Sequence, residues 1–372
     1  MIRPTTARID LDALKSNYRN IVDFVARERA TPPGVIAVVK ANAYGHGAGQ
    51  VARALEEAGA SLLACADIEE GSALRAAGVR ADILIFGALS VSDLDGLFDC
   101  QLTPTISTPG AALAVQTAAA RYRRRLRYHL KIDTGMNRLG FRFDNLRRTL
   151  PALLASENLE LDGVYTHFAT ADDPDSALFE QQRNRFERAT ADVTALGGRP
   201  RYRHASNSAA LLRDSRVWLD LVRPGLLLYG IVPPPLATTV PLRPVMTLVS
   251  RVVAVKGMRT GEVTGYGGRF TAERPTTLAI IPAGYADGLD LRLAGRGVVL
   301  IRGRRAPVVG SVCMDMLMAD VTGMDLSPGD EVVIIGAQGN DRIDAREMAA
   351  AVGTIPWEVV CRIGSRIERV YA

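Results

Sequence analysis

The sequence predicts an α/β protein: an N-terminal (β/α)8 barrel over residues 1–238 and a mainly β domain over 239–372. Three observations carry that prediction. Eight short apolar runs alternate with helical patterns in the first part of the chain. No GxGxxG follows the first run, which disfavours the other common arrangement, a doubly wound sheet. Past the proline-rich stretch Val232–Pro244, helical periodicity gives way to strands separated by glycine turns.

The elements follow in order. Leu11, Leu14, Tyr18, Ile21, Val22 and Val25 fall at helical spacing and predict a helix over 11–29, capped by Asp10 or Asp12. The run Val35-Ile36-Ala37-Val38-Val39 is continuous rather than alternating, as in a buried parallel strand, and Lys40 ends it. Further strands are predicted at 61–66, 82–87, 103–106, 128–132, 161–166, 202–205 and 219–222. Helices are predicted between them at 50–58, 110–120, 146–156 and 177–196. Beyond the linker, strands are expected at 249–255, 278–281, 298–301, 317–321 and 331–335, with one short helix at 345–352.

Composition narrows the function classes. With 372 residues, 48% of them hydrophobic, the chain has material for a large core and an added module. A net charge of +5 from 45 basic and 40 acidic residues is too diffuse to imply a nucleic-acid partner. The dense basic run, Arg121 to Arg127, reads as a solvated helix end. Pro233-Pro234-Pro235 interrupt the longest uncharged stretch, 224–242, so no membrane span is expected. The cysteines Cys65, Cys100, Cys313 and Cys361 form no CxxC, and no secretory apolar region opens the chain. Reduced thiols and a cytoplasmic location are expected.

Chemistry concentrates where a barrel keeps it, at the C-terminal ends of the strands. A lysine ending a buried strand is costly to keep as a cation; losing a proton or forming an imine removes that cost. Lys131, Asp133 and Arg138 lie at or after the fifth run, and His167 ends the sixth. Ser206, Asn207 and Ser208 follow the seventh, and Arg223 and Gly225 end the eighth. Small residues with open N–H groups after the last two strands suit a phosphate, with Ser208 offering a hydroxyl. Singly, Asn207 and Ser208 also fit a helix cap and His167 an interior histidine. A lysine imine and a phosphate site on one rim imply pyridoxal 5'-phosphate.

Taken in order, 37-AVVKANAYGHG-47, 131-KIDTGMNRLG-140, 204-HASNS-208, Arg223-Pro224-Gly225 with Tyr229-Gly230, Gly265-Tyr266-Gly267, 284-GYADG-288 and Cys313-Met314-Asp315 resemble the alanine racemases. The resemblance spans essentially the whole chain. It implies that Lys40 holds the cofactor as an imine and that Tyr44, Ser208, Gly225 and Leu226 hold its phosphate, with Asn207 beside them. It sets Arg223 against the pyridine nitrogen with His167 as hydrogen-bond partner. Lys40 would serve the α-proton of D-alanine and Tyr266 that of L-alanine, since one base does not readily reach both faces. Arg138 would meet the cofactor phenol and the substrate carboxylate, beside Lys131, at the position of a lysine that is often carbamylated in the family. Tyr285, Met314 and Asp315 would approach the substrate. Tyr266, Met314 and Asp315 would come from the partner in a head-to-tail homodimer with shared sites. The implied product is D-alanine for peptidoglycan.

Ser311 stands where many relatives carry an arginine, and Ser365 near where some carry a tyrosine. That departure suggests a wider substrate corridor and keeps serine or broad-specificity racemisation open. A barrel decarboxylase is disfavoured by Arg223. A non-catalytic pyridoxal phosphate carrier would leave the β domain and Tyr266 unexplained.

Overall fold

The structure, a computed structural model, describes residues 4–27, 30–89 and 93–372. Eight parallel strands close into a barrel: Gly34–Val38, Leu62–Cys65, Asp82–Ile85, Thr103–Ile106, Leu126–Asp133, Leu159–Tyr165, Tyr202–His204 and Leu221–Val222. Closure is visible in the register. Leu221 lies opposite Gly34, and Thr105 opposite His129. The strands are short and their cores apolar because helices cover the outer face of the barrel.

Local signals set the helix starts. The Asp10 carboxylate accepts from the Ala13 N–H at 2.7 Å and caps helix Leu11–Ala26. Residues 28–29, where the predicted helix ends, lie outside the described residues. Thr108 caps Pro109–Arg121, with the proline in the first turn, where its missing N–H costs nothing. The helix predicted at 146–156 is two short ones, Leu146–Thr149 and Pro151–Leu154, because Pro151 has no N–H to continue the ladder. Arg121 does end a helix, and Arg123, Arg124 and Arg125 are exposed after it.

The second domain is built on antiparallel strands, with one difference from expectation. Strand Thr6–Ile9 leaves the N-terminal region and inserts between Met246–Arg251, antiparallel, and Glu368–Tyr371, parallel. The barrel assignment of residues 1–238 therefore does not hold for 6–9. Four residues with one outward side chain carry too little pattern to declare their sheet. The predicted strand 249–255 is two strands, Met246–Arg251 and Ala254–Met258, divided where Val252 turns to the Asp330 carbonyl and Val253 to that of Ile280. A helix that the sequence reading lacked, Pro356–Cys361, follows Ala345–Val352. One continuous apolar core runs through both domains, from Leu14 and Ile132 to Val332 and Val360. Among the described residues no helix is long and apolar enough to cross a membrane.

Candidate active site

A cavity of about 690 Å³ opens at the C-terminal ends of the barrel strands. Lys40 lies two residues past its strand, which stops at Val38. It opens a left-handed turn in which Ala41, Asn42, Ala43 and Tyr44 all have φ between 52° and 54°. L-residues pay roughly 1–2 kcal/mol each in that conformation, and four in succession without a glycine is a concentrated strain. Surrounding bonds impose it. Ala43 N–H donates to the Val39 carbonyl at 2.9 Å, Gly45 N–H to Ala41 at 3.0 Å, and Ala48 N–H to the Asn42 side chain at 2.8 Å. The turn aims Lys40 and Tyr44 into the same cavity. Burial, then the Arg138 guanidinium, lower the Lys40 amine below its ordinary value, while Cys361 and Glu70 oppose the shift.

The opposite wall is a cradle. Ser208 Oγ accepts from the Gly225 N–H at 2.9 Å, leaving its own proton to donate elsewhere. A Cβ on Gly225 would stand 2.4 Å from the Tyr44 hydroxyl, so only glycine allows these two groups to converge. Burial pushes the Tyr44 phenol well up, so it remains a donor. Asn207 reaches the cavity, but its side-chain oxygen caps helix Ser208–Arg213 through the Ala210 N–H. Hydroxyl donors beside close-approach backbone, facing an amine that burial favours as neutral, fit pyridoxal phosphate: one end takes a phosphate and the other an aldehyde. Gly225→Ala should lower affinity for the cofactor about tenfold or more, because overpacking costs about 1–3 kcal/mol. Absorbance titration of the apoprotein measures it, and unchanged affinity would remove Gly225 from the cradle.

Arg223 is 3% exposed and is held by three hydrogen bonds within the barrel. Nη1 donates to His204 Nδ1 at 2.8 Å, and Nη2 to the carbonyls of Thr166 and Ala205 at 2.9 Å each. His167 Nδ1, the expected partner, is 3.4 Å from Nη2, which is long for a hydrogen bond. The principal imidazole partner is His204. Accepting at Nδ1 puts the His204 proton on Nε2, which then donates to His129 Nδ1 at 2.8 Å. The His129 proton in turn points from Nε2 towards Asp162, 3.6 Å away. Burial lowers His204 and His167 well below the usual histidine range and lowers His129 too, so this is a chain of neutral rings and not an ion pair at His129. Burial brings Arg223 down to about 10, still far above neutral pH, so it stays charged.

Lys131 lies over the Tyr165 ring, 5.7 Å from its centroid, and burial, then Arg138 and Arg223, lower it to about 8. Arg138 reaches the cavity from an exposed loop that Asp133 shapes by accepting from the Gly135 and Asn137 N–H groups at 3.0 Å. Leu226 and His167 also line this cavity.

The second group of expected residues lies elsewhere. Tyr266 is 78% exposed, on a turn whose neighbours Gly265, Gly267 and Gly268 all have positive φ. It shares an open depression with Met314 and Asp315 on the β domain. Tyr285 stands beside them, half-exposed, with its N–H bonded to the Cys313 carbonyl at 3.0 Å. A single chain does not bring these four residues to Lys40.

Sequence reasoning missed several residues. His129 and His204 lie on the strands either side of Leu159–Tyr165 and converge across it over Gly163, an alignment that depends on the strand register and not on spacing along the chain. Ile355 and Trp357, at the start of the unforeseen helix Pro356–Cys361, close the cavity from the second domain.

Comparison with known proteins agrees with this geometry. The family model for the alanine racemase N-terminal domain matches residues 9–233, and that for the C-terminal domain matches 245–371. The alanine racemase of Carboxydothermus hydrogenoformans is 42% identical over 376 residues, covering all of both chains. The crystal structure of alanine racemase from D-cycloserine-producing Streptomyces lavendulae superposes with a TM-score of 0.95 at 37% identity, covering 100% of this chain and 98% of that one. That of Bartonella henselae, with covalently bound pyridoxal phosphate, gives 0.88 at 30% identity over 99% of each chain. Two domain models meet almost end to end on this sequence and full-length relatives agree with them, so the chain belongs to the alanine racemase family.

Proposed function

We propose that Lys40 and the Tyr266 of a second copy are the two bases with which this enzyme interconverts L- and D-alanine. The reaction, and its dependence on pyridoxal phosphate, are those of the family. D-alanine serves there as a peptidoglycan precursor. The observation that carries the two-base reading is the separation itself: a half-buried amine lining one cavity and an exposed phenol on a glycine turn that lines another.

Bound pyridoxal phosphate supplies the electron sink that acidifies the substrate α-carbon. Tyr44, Ser208 and the backbone at Gly225 and Leu226 anchor its phosphate, with Asn207 alongside. Arg223, held by His204 and flanked by His167, would meet the pyridine nitrogen as a donor only, supplying a hydrogen bond and no proton. Lys40 Nζ, whose hold on its proton burial weakens, accepts or returns the α-proton on the D side. The Tyr266 hydroxyl does so on the L side. A phenol needs nearby cations to ionise near neutral pH, and Arg138, Arg223 and Lys131 are gathered in the facing cavity. Arg138 takes the substrate carboxylate. Lys131, with its lowered amine, suits carbamylation, which would turn a competing cation into an anion that orients Arg138.

The partner would supply Tyr266, Tyr285, the Met314 backbone N–H and Asp315. The exposed apolar side chains around them, Val263, Met314 and Met316, suit burial against another chain. In this reading the chain works as a homodimer in the cytoplasm, its barrel contributed by residues 10–238 and its β domain by 239–372.

Ser311 Oγ donates to the Tyr266 carbonyl at 2.6 Å, so a short side chain ties down this turn where a longer one would extend over it. That favours some activity on larger substrates. Proton–deuterium exchange at Cα in D₂O, run on alanine, serine and lysine, tests both points. Exchange with inversion on alanine is expected, with slower exchange on serine. No exchange on alanine would leave only a cofactor carrier, and exchange confined to alanine would end the wider-corridor reading.

A further inference from the structure

Glu70 lies on helix Ile68–Ala76, at the end of the barrel strand next to that of Lys40. Its carboxylate is divided between two backbone donors. Oε1 accepts from the Ala41 N–H at 2.7 Å, and Oε2 from the Ala66 N–H at 2.8 Å. Ala66 follows strand Leu62–Cys65 directly, and Ala41 is the first left-handed residue after Lys40. The helix start is itself fixed, since Asp67 accepts from the Glu70 N–H at 2.8 Å.

The first N–H groups of any helical turn, left-handed or right-handed, have no acceptor within it. Here the carbonyls accept inside the segment: Val39 from Ala43, Ala41 from Gly45 and Asn42 from Gly47. The Ala41 N–H points the other way and meets a carboxylate. A charge-assisted bond is among the stronger ones the backbone makes, and it acts on the peptide adjoining the lysine. The same carboxylate is, with the Cys361 thiol, one of the two groups that favour the protonated Lys40 amine in a site crowded with cations. The cations are Arg138 and Arg223, which lower the Lys40 amine, and Lys131, which Lys40 lowers in turn.

We infer that Glu70 is a positioning residue for the racemase reaction: it clamps the left-handed turn and thereby fixes the direction and protonation of Lys40 without touching substrate. The inference rests on Lys40 as the cofactor lysine.

Two variants separate its two actions. Glu70→Gln keeps an oxygen for the Ala41 N–H but loses the charge and sets an NH₂ against the Ala66 N–H. Glu70→Ala loses both bonds and the charge. In the apoprotein, amide hydrogen exchange over residues 41–48 should accelerate about tenfold or more in Glu70→Ala and less in Glu70→Gln. Amine labelling of Lys40 against pH, read by mass spectrometry, should show its midpoint moved down in both, because removing the anion leaves the cations unopposed. Removing a nearby anion disfavours protonated Lys40, which gives the sign. Activity should fall mainly in kcat. Unchanged exchange and an unchanged midpoint in the near-isosteric Glu70→Gln, with Glu70→Ala either the same or failing to fold, would overturn the inference. Lys40→Ala is the separate control: retention of the cofactor absorbance band there would overturn the reading of Lys40, whereas loss of the band with silent Glu70 variants would overturn only the role of Glu70.

Discussion

Tyr266→Phe should leave the chain folded and still binding cofactor, yet lower racemisation by about 10²–10⁴-fold, the usual contribution of a positioned proton-transfer group. The side chain is 78% exposed on its turn, so losing the hydroxyl should change stability by less than about 0.5 kcal/mol. Lys40→Ala should be inactive for the opposite reason, with the phenol present and the amine missing. Mixing the two variants discriminates sharply. In a mixed dimer with shared sites, one site combines both defects and the other is intact. Random reassociation makes half of the dimers mixed, so about one quarter of wild-type activity should return. Activity that stays at the level of the parents in verified mixed dimers would mean that each chain completes its own site.

Arg223→Ala should destabilise the protein by about 2–4 kcal/mol, the cost of buried acceptors left without a donor and of the cavity opened, partly offset because a buried charge is removed with the side chain. The guanidinium satisfies His204 Nδ1 and the carbonyls of Thr166 and Ala205, all buried. Truncation leaves those acceptors without donors and opens a void among Tyr165, His167 and His204. Arg223→Lys should recover only part of the loss, since an ammonium cannot reproduce a planar fork reaching several acceptors at once. Urea denaturation of the apoproteins measures both. A loss below about 1 kcal/mol in Arg223→Ala would show that the network relaxes or takes in water.

Much of the barrel was legible because parallel strands buried on both faces read as apolar runs, and because helical spacing survives in amphipathic segments such as Ala177–Ala195. What escaped reading was non-local. Thr6–Ile9 joins a sheet whose other members begin more than two hundred residues later. The break at Leu150 was marked by Pro151, but the apolar periodicity on either side concealed it. For the site, the rim residues Lys40, Arg138, His167, Ser208 and Arg223 could be placed from barrel geometry alone. Tyr266 could not, since a tyrosine between glycines reads as an ordinary turn until a family pattern gives it a purpose. The preference of Arg223 for His204 over His167 depended on fractions of an ångström in a closed interior, which spacing along a chain does not encode.

The turn after Lys40 also reverses the usual ranking of residues. The string Lys40-Ala41-Asn42-Ala43-Tyr44 would pass as a right-handed helix by composition, and glycine would be the damaging substitution there. With φ near +53°, the order inverts: glycine becomes the least strained residue and a β-branched side chain the worst. Ala41 is exposed, so little packing offsets that preference there, whereas at Asn42 the side-chain bond to the Ala48 N–H opposes it. Mutational tolerance at Ala41 is thus written by handedness and not by helix propensity, and a substitution table compiled from ordinary helices would misjudge its sign.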